Sequence, residues 1–261
     1  MFFAGVDVGS ISAEAVIVDE AGRTASYAIG FTGADSVASA SRTLAEALAA
    51  AGLKREEIAR VISTGYGRAR VPFADAQVTE ITCHGRGAHH EFPGTRTVID
   101  IGGQDSKAIR LDPAGRVQNF QMNDKCAAGT GRFLEVMARA LEVELIEMGP
   151  ISLTSAEKVS VSSVCTVFAE SEVVGLIHQG ADKRDIIRGI HAAIADRTRA
   201  LVGRVGIEAE VTMTGGVAKN AGVVRELEDR LGLKVNLPAE PQITGALGAA
   251  LIARDRAMKK E

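Results

Sequence analysis

Two stretches decide the fold: Asp7–Arg23, reading DVGSISAEAVIVDEAGR, and Asp100–Arg116, reading DIGGQDSKAIRLDPAGR. At one constant offset the pairs Asp7/Asp100, Gly9/Gly102, Ala15/Ala108, Asp19/Asp112, Ala21/Ala114, Gly22/Gly115 and Arg23/Arg116 are identical. Each copy opens on an apolar run that ends in Asp-x-Gly, FFAGVDVG in the first and TVIDIG in the second. Alternating apolar residues follow (Ala15 and Ile17; Ala108 and Leu111), and then a glycine turn at Gly22 or Gly115. This pattern predicts strand, turn, strand, turn, strand, with third strands at Thr24–Gly30 and Val117–Met122.

Outward from the hairpins the period changes. Ala38–Ala51 places Leu44 and Leu48 four apart, and Gly131–Leu141 puts Phe133, Leu134, Met137 and Leu141 on one face. Asp185–Val205 and Val223–Leu231 continue the helical spacing. Helices mixed with duplicated strands imply an α/β fold of two similar lobes facing each other across a cleft. The expected division is 1–95 for the first lobe and 96–261 for the second, with the last helix crossing back to the first.

Composition narrows the function. The 261 residues are 46% hydrophobic and 24% charged with a formal net charge of -3, ordinary for a soluble globular chain. No Lys/Arg stripe marks a nucleic-acid surface. No apolar run approaches the ~20 residues of a membrane helix, and the first residues lack the basic start of a signal peptide. A cytoplasmic protein is expected. Three cysteines, Cys83, Cys126 and Cys165, form an odd set that argues against a disulfide framework.

Chemistry fits best at the hairpin tips. Gly9, Gly102 and Gly103 would let backbone N–H groups approach phosphate oxygens, and Ser10 adds a hydroxyl donor. Asp7 and Asp100, at strand ends, are placed to orient waters around Mg²⁺. A third cluster, Thr214-Gly215-Gly216-Val217-Ala218-Lys219-Asn220, stands between the apolar run Ala209–Met213 and a helix. Such a junction suits the ribose or adenine of a nucleotide. Asp-x-Gly and Gly-Gly also mark ordinary turns, so two facing copies carry more weight than either alone. Lys107, beside Asp105 in a polar hairpin, reads as solvated.

Two Asp-x-Gly hairpins followed by Thr-Gly-Gly-Val resemble the phosphate 1, phosphate 2 and adenosine motifs of the actin/Hsp70/sugar-kinase superfamily, whose fold is ribonuclease H-like. Gly129-Thr130-Gly131 and Gly245–Ala250 resemble the small-residue helices that cross between the lobes there. The cysteines add a second signal. Cys126 and Cys165 each precede a helical stretch, where partial positive charge favours a thiolate. Two thiolates cannot complete the four-cysteine shell of a [4Fe–4S] cluster, and a two-fold dimer would supply the other two. A zinc site or buried thiols are the competing readings, although zinc wants CxxC or nearby histidine pairs. Cys83 reads as a core residue, and His89, His90, His178 and His191 as surface or packing residues.

The strings MNDKCAAGTGRFLE, SSVCTVFAESEV, DIGGQDSK and TGGVAKN closely resemble the ATPase family of 2-hydroxyacyl-CoA dehydratase activators, which also includes ATP-binding subunits of benzoyl-CoA reductase. The resemblance runs from Gly5 to about Ala253. It implies a [4Fe–4S] cluster on Cys126 and Cys165, shared by a homodimer or by two related subunits. ATP contacts would come from Ser10, Gln104, Gly215, Gly216, Lys219 and Gln242, with Gln104 sensing the γ-phosphate or the attacking water. ATP hydrolysis to ADP would then drive electrons from a ferredoxin or flavodoxin to a (R)-2-hydroxyacyl-CoA dehydratase. The alternatives are a subunit of an aromatic-ring reductase and a small-molecule kinase of the same superfamily; the kinase needs a cleft carboxylate as base, which the sequence does not single out.

Overall fold

The computed structural model describes residues 1–157, 159–161 and 165–259. The first three strands, β1 (Phe2–Val8), β2 (Ser12–Asp19) and β3 (Thr24–Phe31), form an antiparallel meander. Helix α1 (Ser36–Ala51) leads to β4 (Ile58–Thr64) and the short β5 (Ala76–Gln77), both parallel to β1, giving the order β3-β2-β1-β4-β5. Helix α2 (Glu80–Glu91) precedes the second meander, β6 (Thr97–Ile101), β7 (Ser106–Leu111) and β8 (Val117–Asn123). Four helices follow: α3 (Gly131–Ala140), α4 (Met148–Leu153), α5 (Thr166–His178) and α6 (Lys183–Val205). Then come β9 (Val211–Thr214), α7 (Ala221–Leu231), β10 (Val235–Asn236) and α8 (Thr244–Met258). The second sheet runs β10-β9-β6-β7-β8, repeating the topology of the first. The two α/β halves expected from the repeat are both present.

The shared turn residues do the same work in both copies. Asp19 Oδ1 accepts the N–H groups of Ala21 and Arg23, each at 2.9 Å, and Asp112 Oδ1 accepts those of Ala114 and Arg116 at 2.8 and 2.9 Å. Gly22 and Gly115 take φ of 81° and 75°, the left-handed region that a side chain disfavours. An aspartate that bonds its own backbone two residues on, followed by a left-handed glycine, is sufficient to set this turn.

Burial explains why β1 and β6 read as unbroken apolar runs: each sheet is covered on both faces. In the first sheet, Ala4, Val6, Ala15 and Ile17 pack on Ala40, Leu44 and Ala47 of α1. Phe3, Val16, Val18 and Ile62 pack on Ala246, Leu247, Ala250 and Leu251 of α8. In the second, Val98, Ile109 and Leu111 meet Ile81 and Ala88 of α2, while Ile99, Ile101 and Ala108 meet the larger core of α3, α6 and α7. Each fully buried aliphatic side chain contributes about 1.5–3 kcal/mol.

The covering helices exchange sides. Helix α2 comes from the first part of the chain and lies on the second sheet; α8 comes last and lies on the first. They cross each other at the joint between the lobes. A methyl at Gly248 would sit 1.8 Å from the Cys83 carbonyl oxygen, and one at Gly87 would sit 2.2 Å from the Thr244 carbonyl oxygen. Backbone meets backbone there, which only glycine permits. The expectation that Gly129-Thr130-Gly131 forms part of a crossing helix is therefore corrected. Those residues enter α3 inside the second lobe, and the partner of α8 is α2. Cys83 is fully buried against α8, as a core residue.

Candidate nucleotide cleft and cysteine segment

The parallel strand next to each meander brings a second loop to each aspartate. Asp7 lies beside Thr64 and Asp100 beside Thr214. Both threonines are followed by a left-handed glycine, Gly65 with φ 84° and Gly215 with φ 83°. A methyl at Gly65 would sit 2.2 Å from Asp7 Oδ1, and one at Gly215 would sit 2.7 Å from Asp100 Oδ1. Thr64-Gly65 is thus the first-lobe counterpart of Thr214-Gly215, a repeat that a constant offset misses because the β8–β9 connection is far longer than the β3–β4 connection.

The tips of the two hairpins touch. A methyl at Gly103 would meet the side chain of Ile11, 2.5 Å from Cδ1. Ser10 and Gln104 are exposed at these tips, and Gly9 and Gly102 close them through N–H bonds to the carbonyls of Ser12 and Asp105. On the other side of the cleft the Gly215 N–H bonds the Pro241 carbonyl, which brings Gly216, Lys219 and Gln242 together. Lys219 Nζ reaches Gln242 Oε1 at 3.2 Å and Glu240 Oε1 at 2.8 Å. The Gln242 amide donates across the cleft to Ser12 Oγ at 3.0 Å and Glu14 Oε1 at 3.1 Å.

Between the tips lie five buried ionisable groups, Asp7, Glu14, His84, Asp100 and Lys107. Lys107 is 4% exposed and bonds Asp100 Oδ2 at 3.1 Å and Asp105 Oδ2 at 2.8 Å, so the solvated reading of Lys107 is overturned. Its register position opposite Asp100 on β7 turns the side chain inward. Burial disfavours its charge, but Asp100 and Asp105 outweigh that and raise it above the usual lysine range. Burial would likewise raise Asp100; His84, Lys107 and the Thr214 hydroxyl, which donates at 3.0 Å, hold it below the usual carboxylate range. Asp7 is pushed well up by burial and then by Glu14. Glu14 is pushed up to about 7 by burial, against hydrogen bonds from Ser12 and Gln242.

His84, on α2, stands between the two aspartates. Its Nδ1 is 3.1 Å from Thr214 Oγ1 and 3.4 Å from Asp100 Oδ1, and its Nε2 is 3.9 Å from Asp7 Oδ2. Because the Thr214 hydroxyl spends its proton on Asp100, Nδ1 is the donor and Nε2 carries the lone pair. Burial lowers the His84 pKa. His84, Glu14 and Gly65 join the site although the sequence motifs do not single them out. The signals were there: Glu14 stands at the hairpin position of Lys107, and Ser63-Thr64-Gly65 repeats a strand ending in Thr-Gly.

The cysteines belong to the long segment that only the second lobe carries. Cys165 immediately precedes α5, and Cys126 stands five residues before α3, in a loop. Ser162, Ser163 and Val164 lie outside the described residues. Both sulfurs are half-buried and outside any disulfide. Arg197 Nη2 donates to Cys126 Sγ at 3.4 Å. The tip of the second hairpin is bonded to this segment: the N–H groups of Gly131 and Arg132 donate to the carbonyls of Gly102 and Gly103 at 2.9 and 2.8 Å. Asn123, at the end of β8, donates to the Cys126 carbonyl at 2.8 Å. Helix α5 exposes Val167, Phe168, Val174 and Ile177. Among the other candidates, His191 is buried between Ser152 Oγ at 3.0 Å and Asn220 at 3.2 Å, His89 packs on the Gly115 turn, and His90 and His178 are exposed.

Two duplicated α/β lobes, joined by crossed helices and closing aspartate-bearing hairpins on each other, define the actin/Hsp70/sugar-kinase fold. A ROK family glucokinase from Streptomyces griseus shares that fold at a TM-score of 0.62 and 15% identity, over 98% of this chain and 100% of its own. The sequence profile of the BadF/BadG/BcrA/BcrD ATPase family matches residues 4–253, and the chain belongs to that family. It is 47% identical to the 2-hydroxyisocaproyl-CoA dehydratase activator of Clostridioides difficile, over 100% of this chain and 98% of the relative. It is 36% identical to one of the benzoyl-CoA reductase subunits of Thauera aromatica, over 77% of this chain and 73% of the relative. A solved activator of the 2-hydroxyisocaproyl-CoA dehydratase, with bound ADPNP, superposes with a TM-score of 0.95 at 46% identity, covering 100% of this chain and 97% of that one. No described helix is long and apolar enough to cross a membrane.

Proposed function

We propose that this chain is an ATP-hydrolysing activator that delivers low-potential electrons to a (R)-2-hydroxyacyl-CoA dehydratase. The full-length likeness to a dehydratase activator carries this reading. In it, Gly9, Ser10, Gly102, Gly103 and Gln104 surround the phosphates, while Gly215, Gly216, Lys219 and Gln242 receive the nucleoside. Asp7 and Asp100 hold water around Mg²⁺, which fits their strand-end carboxylates and the surplus of buried negative charge beside Asp7.

Cys126 and Cys165 fit half of a [4Fe–4S] site. The donor set is two thiols, and no group of three or more His, Cys, Asp or Glu able to hold a metal occurs among the described residues. A second copy, or a related subunit, completes four sulfurs, and the uncovered apolar residues of α5 beside Cys165 support a partner there. When bound, the cluster would supply one-electron transfer, with a ferredoxin or flavodoxin as donor. The chain's own part is mechanical. Phosphates drawing the second tip inward would pull the first turn of α3 with it, because Gly131 and Arg132 are bonded to that tip. Asn123 would carry the motion to the Cys126 backbone.

Anaerobically purified protein is expected to be brown, with about two iron atoms per chain. Cys126→Ser should lose the iron and keep ATP binding; unchanged iron content would refute the ligand assignment. The 36% relative favours one alternative, a ring-reductase component. In that case electrons are consumed at every turnover instead of once to start many turnovers, which electron counting against product distinguishes.

A further inference from the structure

Glu14 is the buried residue of the cleft that this reading leaves without a task. It faces Asp7 across β1 and β2, and in the first hairpin it occupies the place that Lys107 occupies in the second. The consequence is an asymmetry of charge. Asp100 has Lys107 and the Thr214 hydroxyl as donors, at 3.1 and 3.0 Å. Asp7 is 8% exposed and accepts no hydrogen bond from the described residues; the one basic nitrogen within 4 Å of it among them is His84 Nε2 at 3.9 Å, which carries a lone pair. Glu14 is 4% exposed and takes only neutral donors, the Gln242 amide and Ser12. Neither carboxylate pairs with a lysine or arginine among the described residues. Lys219, across the cleft, is engaged by Glu240.

Two carboxylates facing each other out of water are costly unless a cation joins them. A nucleotide brings further negative charge into this cleft. Without a cation Glu14 repels it; with a divalent ion in between, the same residue attracts the complex.

We propose that Asp7 and Glu14 make the first hairpin the cation-holding side of the cleft, and that Glu14 is the residue that makes nucleotide binding depend on a divalent ion. This rests on the nucleotide reading above. The chain supplies at most these two carboxylates, and phosphates and water provide the remaining oxygens, as Mg²⁺ prefers. The second hairpin is neutralised internally by Lys107, so Asp100 adds at most a contact to the ion's water.

The test is the binding of a fluorescent ATP analogue in EDTA and in excess Mg²⁺. The parent protein should gain at least tenfold in affinity from Mg²⁺. Glu14→Gln should bind more tightly than the parent in EDTA, and its gain from Mg²⁺ should shrink by threefold or more. Glu14→Lys, which copies the second hairpin, should gain nothing. A Glu14→Gln gain within threefold of the parent's overturns the proposal while leaving the nucleotide reading intact. Absence of nucleotide binding by the parent overturns both. A second measurement needs no variant: Fe²⁺ placed in the ATP complex, with ascorbate and peroxide, should cleave the backbone near Asp7–Glu14, and cuts confined to Asp100–Lys107 would overturn the proposal.

Discussion

The two hairpins are the same object built twice with one difference that matters. At the far turn they agree bond for bond: aspartate accepting two N–H groups, left-handed glycine, arginine returning to the aspartate. At the cleft they disagree in charge, Asp7 opposite Glu14 in one and Asp100 opposite Lys107 in the other. The agreement lies where the chain must reverse, and the disagreement lies where a ligand would sit. Duplication preserved the folding signal and let the two sides of the cleft take different electrostatic roles.

The comparison can be broken most forcefully at Lys107. Lys107→Met leaves Asp100 buried without its cation and should lower stability by about 3–5 kcal/mol in denaturant titrations. At the equivalent place the sign should reverse. Glu14→Gln removes one of two opposed charges and should raise stability by about 1–3 kcal/mol at pH 8. If both variants destabilise alike, the claimed asymmetry is wrong.

The pH profile sharpens the same point. Glu14 titrates at about 7 in the folded chain against an ordinary 4.5, so the folded form holds the proton more firmly. Its favourable contribution is complete below about pH 4.5 and is lost as pH rises through 7. The stability gap between Glu14→Gln and the parent should therefore open across that window and stay level above it. The smallest effects belong to the turns. Arg23→Ala and Arg116→Ala each remove a solvent-exposed ion pair and should shift the melting temperature slightly and equally. Unequal shifts would mean that the turns are not equivalent.

Much of this was legible in the chain. The hairpins, the third glycine loop and the main helices follow from period and turn chemistry, which are local. What the sequence obscured was non-local. Thr64-Gly65 repeats Thr214-Gly215, but the segment carrying α3 to α6 and the cysteines shifts the register between them. Lys107 reads as solvated because alternation along a strand does not say whether that face is open; here the face is closed and Lys107 is buried between Asp100 and Asp105. The crossing of α2 and α8 is hidden for the same reason, since glycines such as Gly87 and Gly248 signal a close approach without naming the partner.

By itself the sequence determined that two similar α/β halves would each present an aspartate at a strand end beside glycines, because strand period, turn residues and helix spacing act between neighbours in the chain. Only the tertiary structure decided which charges share the cleft, which helices cross and which side lacks a counter-charge. Those outcomes depend on burial between elements far apart in sequence, and burial turns an ordinary carboxylate into one that needs a partner.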